Sequence, residues 1–122
     1  MKLYVDDIRP APEDWQQART VTDAIRFLAN FGEDVDEISL DHDISYSVEV
    51  AGNLRPFPSP EDFTAVAWYI CARFVDKPIK VIVHSANPVG AREIVTILKS
   101  NLRQGQVEYV PATRVNRLES EV

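Results

Sequence analysis

The sequence predicts a small doubly wound α/β domain built on a mostly parallel sheet. Short apolar runs typical of buried strands alternate with segments of helical periodicity, and acids, histidines and small polar residues directly follow several of the runs. In an open parallel sheet the strand exits line one crevice, so such groups converge there on a ligand. The 122 residues suffice for one domain with a single core.

The first strand is predicted over residues 2–5, an apolar run that stops at two acids before a proline-rich turn. About a dozen residues separate Asp7 from Thr20, which is near the lower limit for a crossover to a parallel strand. We therefore predict that the first helix of a regular alternation is shortened or missing, and that residues 15–19 form a weak second strand.

Thr20 is predicted to open a helix through a capping box, and Gly32 suits its C-terminal cap. The helix carries an apolar stripe of Ala24, Ile25, Leu28 and Phe31. Residues 37–40 form the third predicted strand, whose exit is unusually polar. Residues 44–59 are too long for a plain connection and are predicted as a hairpin flap, with a lid or an ordered surface insertion as the two interpretations.

Ser59 and Pro60 predict the start of the next helix, as its cap and first-turn proline. Its main apolar stripe comprises Phe63, Val66, Ala67, Ile70 and Phe74, and further apolar residues at Ala65, Trp68, Tyr69 and Cys71 widen it. This helix is either well buried or in contact with another subunit, which would make the protein a homodimer.

A fourth core strand is predicted over residues 79–83, followed by a helix that starts at Asn87 and Pro88 and is lined by Ala91, Ile94, Val95, Leu98 and Leu102. Residues 107–110 close the sheet. The domain thus spans residues 1–112, with residues 113–122 as a polar tail, and the predicted strand order is flavodoxin-like.

The net charge of −6 arises from 19 acidic and 13 basic residues, with no dense basic run. Extended nucleic-acid contact is disfavoured, whereas a small anionic substrate or a nucleic-acid end is compatible if a divalent cation offsets the local charge. The apolar runs fall short of the roughly 20 residues that span a bilayer, and acids appear too early for a secretory signal. We expect a cytoplasmic protein without a membrane segment, with Cys71 as a buried thiol.

Asp6, Asp7 and Asp41 follow predicted strands and should place at least two carboxylates close together. Like charges about 4 Å apart repel by about 4 kcal/mol at an effective dielectric of about 20, so the group requires a proton or a cation. Hard oxygen ligands favour Mg²⁺, while the histidines leave Mn²⁺ or Zn²⁺ open. We predict a divalent metal site; in the alternative, the acids cap loops and point into water.

His42 and His84, the two histidines of the chain, both follow predicted strands and are expected at the rim of the crevice, the edge of the sheet where the strands end. Imidazole exchanges protons near neutral pH, so one ring would activate water while the other protonates the departing oxygen of a phosphoester. Asp43 is the candidate for orienting His42. The alternative is that the rings are structural or bind metal.

Arg9, Ser85 and Asn87 are the candidate phosphate-binding side chains, together with backbone amides at the start of the helix after Asn87. For Ser85 and Asn87 the alternative is helix capping, which is compatible with binding. For Arg9 it is an ion pair with Asp7.

These residues resemble a known family. Asp6-Asp7, Asp41 and His84-Ser85 are similar to the acid pair, acceptor aspartate and hydroxyl position of response-regulator receiver domains. The final strand departs from that pattern, because it lacks a lysine near Val110-Pro111, which disfavours an ordinary phosphorelay role. More narrowly, three segments resemble the cyclic-phosphate processing receiver domain family: Leu3-Tyr4-Val5-Asp6-Asp7-Ile8-Arg9-Pro10, Ser39-Leu40-Asp41-His42-Asp43 and Val83-His84-Ser85-Ala86-Asn87-Pro88.

The resemblance implies a receiver-like fold with a reduced first helix and a metal-dependent phosphoesterase, a hydrolase that opens a cyclic phosphate at an RNA end or on a nucleotide. This activity would belong to RNA processing. A covalent aspartyl-phosphate on Asp41 is the other chemistry left open. The competing class is a non-enzymatic receiver-like module that binds a phosphate, metal or protein partner and transmits a conformational change.

Overall fold

A computed structural model describes residues 1–111, including side chains except those of residues 45–50 and 54–60. The predicted tail, residues 113–122, lies outside the described residues. In chain order the described elements are β1 (Lys2–Val5), β2 (Gln16–Ala18), α1 (Val21–Phe31), β3 (Glu37–Leu40), β4 (Asp43–Val50), β5 (Asn53–Asp62), α2 (Thr64–Arg73), β6 (Ile79–Ser85), α3 (Pro88–Asn101) and β7 (Gly105–Pro111).

The main sheet has five strands in the order β2-β1-β3-β6-β7, and each neighbouring pair is parallel. Numbered within this sheet alone, that order is 2-1-3-4-5, the flavodoxin-like order predicted from the sequence. β4 and β5 form a separate antiparallel hairpin between β3 and α2. The α/β fold with a mostly parallel sheet is therefore confirmed.

The three helices pack side by side, because α1 contacts α2 and α2 contacts α3. Alternate strand residues face this helical layer and are fully buried, as Leu3, Ile38 and Val81 illustrate. The intervening residues Tyr4 and Ser39, which are paired in register, point to the opposite face of the sheet. Side chains at the ends of neighbouring strands consequently meet at one edge.

No helix occurs between β1 and β2 in the described chain, as the short crossover predicted. The Gln17 side chain makes three hydrogen bonds to the backbone of the loop between β1 and β2. Its Nε2 donates to the carbonyls of Asp6 and Arg9 at 3.0 and 2.8 Å, and its Oε1 accepts from the Ala11 amide at 2.7 Å. One amide side chain thus fixes the loop that follows β1.

The predicted helix start at Ser59 and Pro60 is wrong. β5 continues to Asp62 because Asp62 pairs with Asp43 on β4, so strand pairing overrides the local capping pattern. α2 begins at Thr64, whose amide donates to Asp62 Oδ1 at 2.9 Å. The hairpin occupies the predicted flap region and extends beyond it at both ends, whereas its role as a lid remains a prediction.

The helix α1 differs from prediction at its C-terminal end. Phe31 was expected in the buried stripe, yet it is 43% exposed and packs on the Phe27 ring instead. Gly32 is the C-cap of α1 as predicted, and its amide donates to the Leu28 carbonyl. Its φ of −55° is right-handed, so the chain continues into a 3₁₀ turn over Gly32–Asp34. A Cβ added to Gly32 would lie only 2.6 Å from Arg73 Nε, so the Arg73 guanidinium leaves no room for a larger residue at this position. The apolar stripe predicted for α2, in contrast, is fully buried.

Among the helices that the structure describes, none combines the length and apolar character needed to cross a membrane.

Candidate functional site

Two carboxylates meet at the end of the sheet. β1 and β3 are neighbouring parallel strands with Val5 opposite Leu40, so the next residue of each, Asp6 and Asp41, exits at the same edge. Both are buried, with exposures of 0% and 3%. Burial of two acids side by side demands compensation from protons, hydrogen bonds or cations.

Asp6 receives that compensation in full from protein donors. Its Oδ1 accepts from the backbone amides of Ile8 and Arg9 at 2.9 and 2.8 Å. Its Oδ2 lies 3.0 Å from Arg9 Nη1 and 2.8 Å from His84 Nε2. Burial by itself raises the pKa of Asp6, but the hydrogen bonds from His84 and the two amides outweigh it and hold the pKa below its usual value. Asp6 is therefore an ionised anchor for the loop.

Asp41 is compensated much less. Its Oδ1 accepts from the His42 amide at 2.8 Å, while its Oδ2 lies 3.5 Å from Arg9 Nη1. Burial, followed by the negative charge of Asp6, raises the pKa of Asp41 to about 7. Around neutral pH this carboxyl is poised between its protonated and ionised forms, which is typical of groups at functional sites.

Arg9 lies between the two acids, and its Nη1 contacts one oxygen of each. The guanidinium is largely buried, so the Coulomb attraction is weakly screened. The acid pair was expected to need a proton or a cation, and Arg9 provides a positive charge at this position. Arg9, predicted as a phosphate clamp, holds the acid pair in this conformation.

His84 lies beneath the acid pair and is 6% exposed. Its Nε2 contacts Asp6, its Nδ1 lies 2.6 Å from Ser39 Oγ, and its ring stacks on Tyr4 with centroids 4.5 Å apart. Burial, and then Asp6, raise the pKa of Tyr4 to about 12, so the phenol stays protonated. Asp6 and Ser39 therefore occupy the two ring nitrogens of His84. Ser39 was included in a segment that resembles the family but was given no role in the sequence analysis, because a single serine in a strand looks like any solvent-facing residue.

The His42 ring lies between two further carboxylates. Its Nδ1 lies 2.7 Å from Asp43 Oδ1, and its Nε2 lies 3.3 Å from Asp62 Oδ2. Asp43 also accepts from Asn87 Nδ2 at 3.1 Å. The ring packs flush against Gly90 of α3. Asp43 therefore orients His42 on one nitrogen, which leaves Nε2 facing Asp62.

The phosphate-binding candidates Ser85 and Asn87 are engaged in local bonds. Asn87 Oδ1 caps α3 by accepting from the amides of Val89 and Gly90, both at 3.1 Å. The fully buried Ser85 Oγ accepts from the Asn87 amide at 3.0 Å. Capping, the alternative offered by the sequence, is what these contacts show, and phosphate binding by these side chains would require an exchange of partners.

The structure brings together two groups of residues with metal-ligating atoms within 4.8 Å of one another: Asp6, Asp41 and His84, and separately His42, Asp62 and Glu93. Asp7, although predicted as a ligand, belongs to neither group among the described residues. The first group offers the hard oxygens and imidazole that suit Mg²⁺, Mn²⁺ or Zn²⁺. Its donor set fits a divalent ion, provided that Arg9 leaves the oxygens that it contacts.

Asp62 and Glu93 were not singled out from the sequence. Asp62 sat in a segment predicted as a helix start, and Glu93 lies on the exposed side of α3. Glu93 Oε1 accepts from Thr64 Oγ1 at 3.2 Å, which links α3 to the start of α2. Pairing of Asp62 with Asp43 in the hairpin brings Asp62 to His42, and the packing of α3 against α2 brings Glu93, so no local signal marks either acid.

Gly90→Ala is expected to displace the His42 ring, because an added Cβ would lie 2.3 Å from His42 Nδ1. Its effect on unfolding free energy should stay within about 1 kcal/mol, since alanine favours a helix over glycine by about that amount. Imidazole nitrogen NMR shifts would reveal the lost contact with Asp43. Thr96→Ala, on the exposed side of α3, is the control. An unmoved His42 ring in Gly90→Ala would contradict the expectation.

Comparison with known proteins identifies a family. A family model described as the cyclic-phosphate processing receiver domain matches residues 1–100. No curated protein and no solved structure matches the chain. The matched range runs from β1 through nearly all of α3 and contains both acids, both histidines and Arg9. The chain therefore belongs to the family of cyclic-phosphate processing receiver domains.

Proposed function

We propose that this protein is a phosphoesterase that opens a cyclic phosphate, at an RNA end or on a nucleotide, with the help of a divalent metal ion. The observation that carries the proposal is the weakly compensated Asp41 carboxyl beside Arg9, on a chain of the cyclic-phosphate family in which the next residue, His42, has its ring oriented by a carboxylate. A cationic guanidinium for the anion, an acid for a metal and an imidazole for protons are what this hydrolysis needs.

In the proposed reaction, His42 takes a proton from the attacking water through Nε2 while Asp43 holds Nδ1. The new P–O bond forms as one ester P–O bond of the ring breaks. The proton that His42 takes from the water is passed, directly or through solvent, to the departing oxygen, which leaves a phosphomonoester and restores His42. Arg9 binds phosphate oxygens. Ser85 and Asn87 would join it only after exchanging their local partners.

Asp41 is the first candidate to hold the metal ion, with Asp6 and Asp7 as the other predicted ligands. When bound, such an ion offsets the charge of the acids and polarises a phosphoryl oxygen. Mg²⁺ suits the carboxylate oxygens, and Mn²⁺ or Zn²⁺ suits a set that includes imidazole.

The two histidines should differ in their importance. We assign His42 the proton transfer, because its Nε2 has only a contact of 3.3 Å with the part-exposed Asp62. We assign His84 the task of positioning Asp6, because this ring is buried and Ser39 and Asp6 hold its two nitrogens at 2.6 and 2.8 Å. His42→Gln should reduce kcat by about a hundredfold or more, in the range of lost acid–base catalysis. His84→Gln should instead lower the unfolding free energy and reduce kcat less. A larger kcat loss in His84→Gln than in His42→Gln would reverse the assignment.

Phosphorus NMR of the purified protein with a dinucleotide that ends in a cyclic phosphate, in Mg²⁺ or Mn²⁺, tests the function. The expected result is conversion of the cyclic-phosphate signal into a phosphomonoester signal. Saturable binding of the dinucleotide without turnover in either metal would favour the competing class, a receiver-like binding module. One observation favours that class: Arg9 Nη1 contacts an oxygen of each acid and so offsets part of their charge.

A further inference from the structure

Arg9 is anchored to the loop by its backbone, independently of its guanidinium. Its amide donates to Asp6 Oδ1 at 2.8 Å, and its carbonyl accepts from Gln17 Nε2 at 2.8 Å. These two bonds fix the position of Cα at the rim. A rotation of the long side chain would therefore move the guanidinium without unfolding the loop.

The guanidinium holds the same atoms that a metal ion would need. Nη1 contacts Oδ2 of Asp6 at 3.0 Å and Oδ2 of Asp41 at 3.5 Å. The remaining oxygen of each acid is already bonded to backbone amides, of Ile8 and Arg9 for Asp6 and of His42 for Asp41. The Oδ2 atoms, which face each other across Arg9 Nη1, are therefore the ones that a divalent ion between the acids would share, although Asp6 Oδ2 also contacts His84 Nε2 at 2.8 Å. Two cations on one pair of oxygens repel each other.

We propose that Arg9 and a divalent metal ion occupy the space between Asp6 and Asp41 alternately, and that the displaced guanidinium becomes the group that binds the substrate phosphate. This inference rests on the proposed function for its substrate. Arg9 then has two positions: on the acid pair in the metal-free protein, and toward the crevice in the metal-bound protein.

Reciprocal coupling follows from this alternation. A bound metal ion releases Arg9 and so strengthens phosphate binding, and phosphate draws Arg9 outward and so strengthens metal binding by the same factor. A site in which metal and phosphate bind independently would show no such factor.

The test compares Mn²⁺ affinity in wild-type protein, Arg9→Gln and the control Arg26→Gln, by titration calorimetry near neutral pH. Arg26 lies on the exposed side of α1, so its substitution removes the same charge away from the acids. Arg9→Gln is expected to bind Mn²⁺ about tenfold more tightly than wild type, because the competing cation is gone. Arg26→Gln should stay within about twofold of wild type. Equal or weaker Mn²⁺ binding by Arg9→Gln, or no binding to any of the three, overturns the inference.

Inorganic phosphate serves as the second probe. Saturating Mg²⁺ should raise the phosphate affinity of wild type several-fold, and the gain should vanish in Arg9→Gln. Neither titration uses turnover, so the outcomes separate. Tighter Mn²⁺ binding by Arg9→Gln without cyclic-phosphate hydrolysis in wild type would support the alternation and reject the hydrolase, whereas hydrolysis with unchanged Mn²⁺ affinity would do the reverse.

Should Arg9→Gln fail to fold, arginine side-chain NMR on the wild-type protein provides the same answer. The Arg9 guanidinium signals are expected to shift and lose protection from solvent exchange when Mg²⁺ is added, while those of Arg26 stay unchanged. Arg9 signals that do not respond to Mg²⁺ at concentrations that saturate the site would overturn the alternation.

Discussion

Asp41→Asn is expected to abolish turnover and to make the protein more stable at pH 8. Turnover should fall by about a thousandfold or more, because a neutral amide oxygen is a weaker ligand for a divalent ion than a carboxylate and carries none of the charge that the site requires. Stability should rise by about 2 kcal/mol, since the substitution removes a buried charge that the fold disfavours. Phosphorus NMR of the cyclic ester and thermal unfolding measure the two effects on the same sample.

The pH dependence of this gain has a definite sign. Burial and Asp6 raise the folded pKa of Asp41 to about 7, well above the value in the unfolded chain. The stability that goes with the protonated carboxyl is therefore fully present below the unfolded pKa and is lost as pH rises through about 7. The difference between Asp41→Asn and wild type should be large at pH 8 and should vanish near pH 4.

Asp76→Asn is the matched control, because Asp76 is exposed and its contact, with Arg103, is on the surface. It should leave both turnover and stability unchanged at every pH, apart from a few tenths of a kcal/mol. Retained turnover in Asp41→Asn would remove Asp41 from the mechanism. A destabilised Asp41→Asn at pH 8 would show that the carboxylate is better compensated in solution than its contacts indicate.

Asp6→Asn is expected to destabilise the fold by about 3 kcal/mol at pH 7. Asp6 is fully buried, and both of its oxygens accept hydrogen bonds, two of them from backbone amides. Whichever way the new amide is turned, its NH₂ group faces donors, and the Arg9 charge loses its closest partner. Urea unfolding of Asp6→Asn beside Asp76→Asn measures the loss.

The cost of Asp6→Asn should shrink in acid. The folded pKa of Asp6 lies below its unfolded value, so its ionised form stabilises the fold above the unfolded pKa, and this contribution is lost as pH falls through the folded pKa. Asp6 and Asp41 therefore act in opposite directions and in different pH windows. A cost for Asp6→Asn below about 1 kcal/mol at pH 7 would mean that the anchor is weaker than four donors imply.

The sequence carried most of the fold, because the signals were local or periodic. Thr20 and Asn87 cap their helices through their own side chains, and both were predicted. The short crossover after β1 followed from chain length alone. The predicted helix start at Ser59 was wrong because a local capping pattern contains no information on strand pairing, and this segment pairs with β4.

The sequence predicted which residues meet at the site better than it predicted the hydrogen bonds between them. That Asp6 and Asp41 meet follows from the exits of neighbouring parallel strands. That His84, 78 residues away, saturates Asp6 while Asp41 stays poorly compensated depends on which donors the packing delivers to each oxygen. No local pattern in the sequence identifies Ser39 and Asp62 as the partners of His84 and His42.

The Gln17 side chain gives the outermost strand of the sheet an influence beyond its three residues. β2 lies at the sheet edge, and its Ala18 carbonyl accepts from the Asp6 amide while Gln17 holds the carbonyls of Asp6 and Arg9. Fraying of this edge would release the backbone on both sides of the acid anchor at once. The amide protons of Asp6 and of β2 should consequently exchange with solvent as one cooperative unit, because the loop after β1 loses these hydrogen bonds whenever β2 detaches from the sheet.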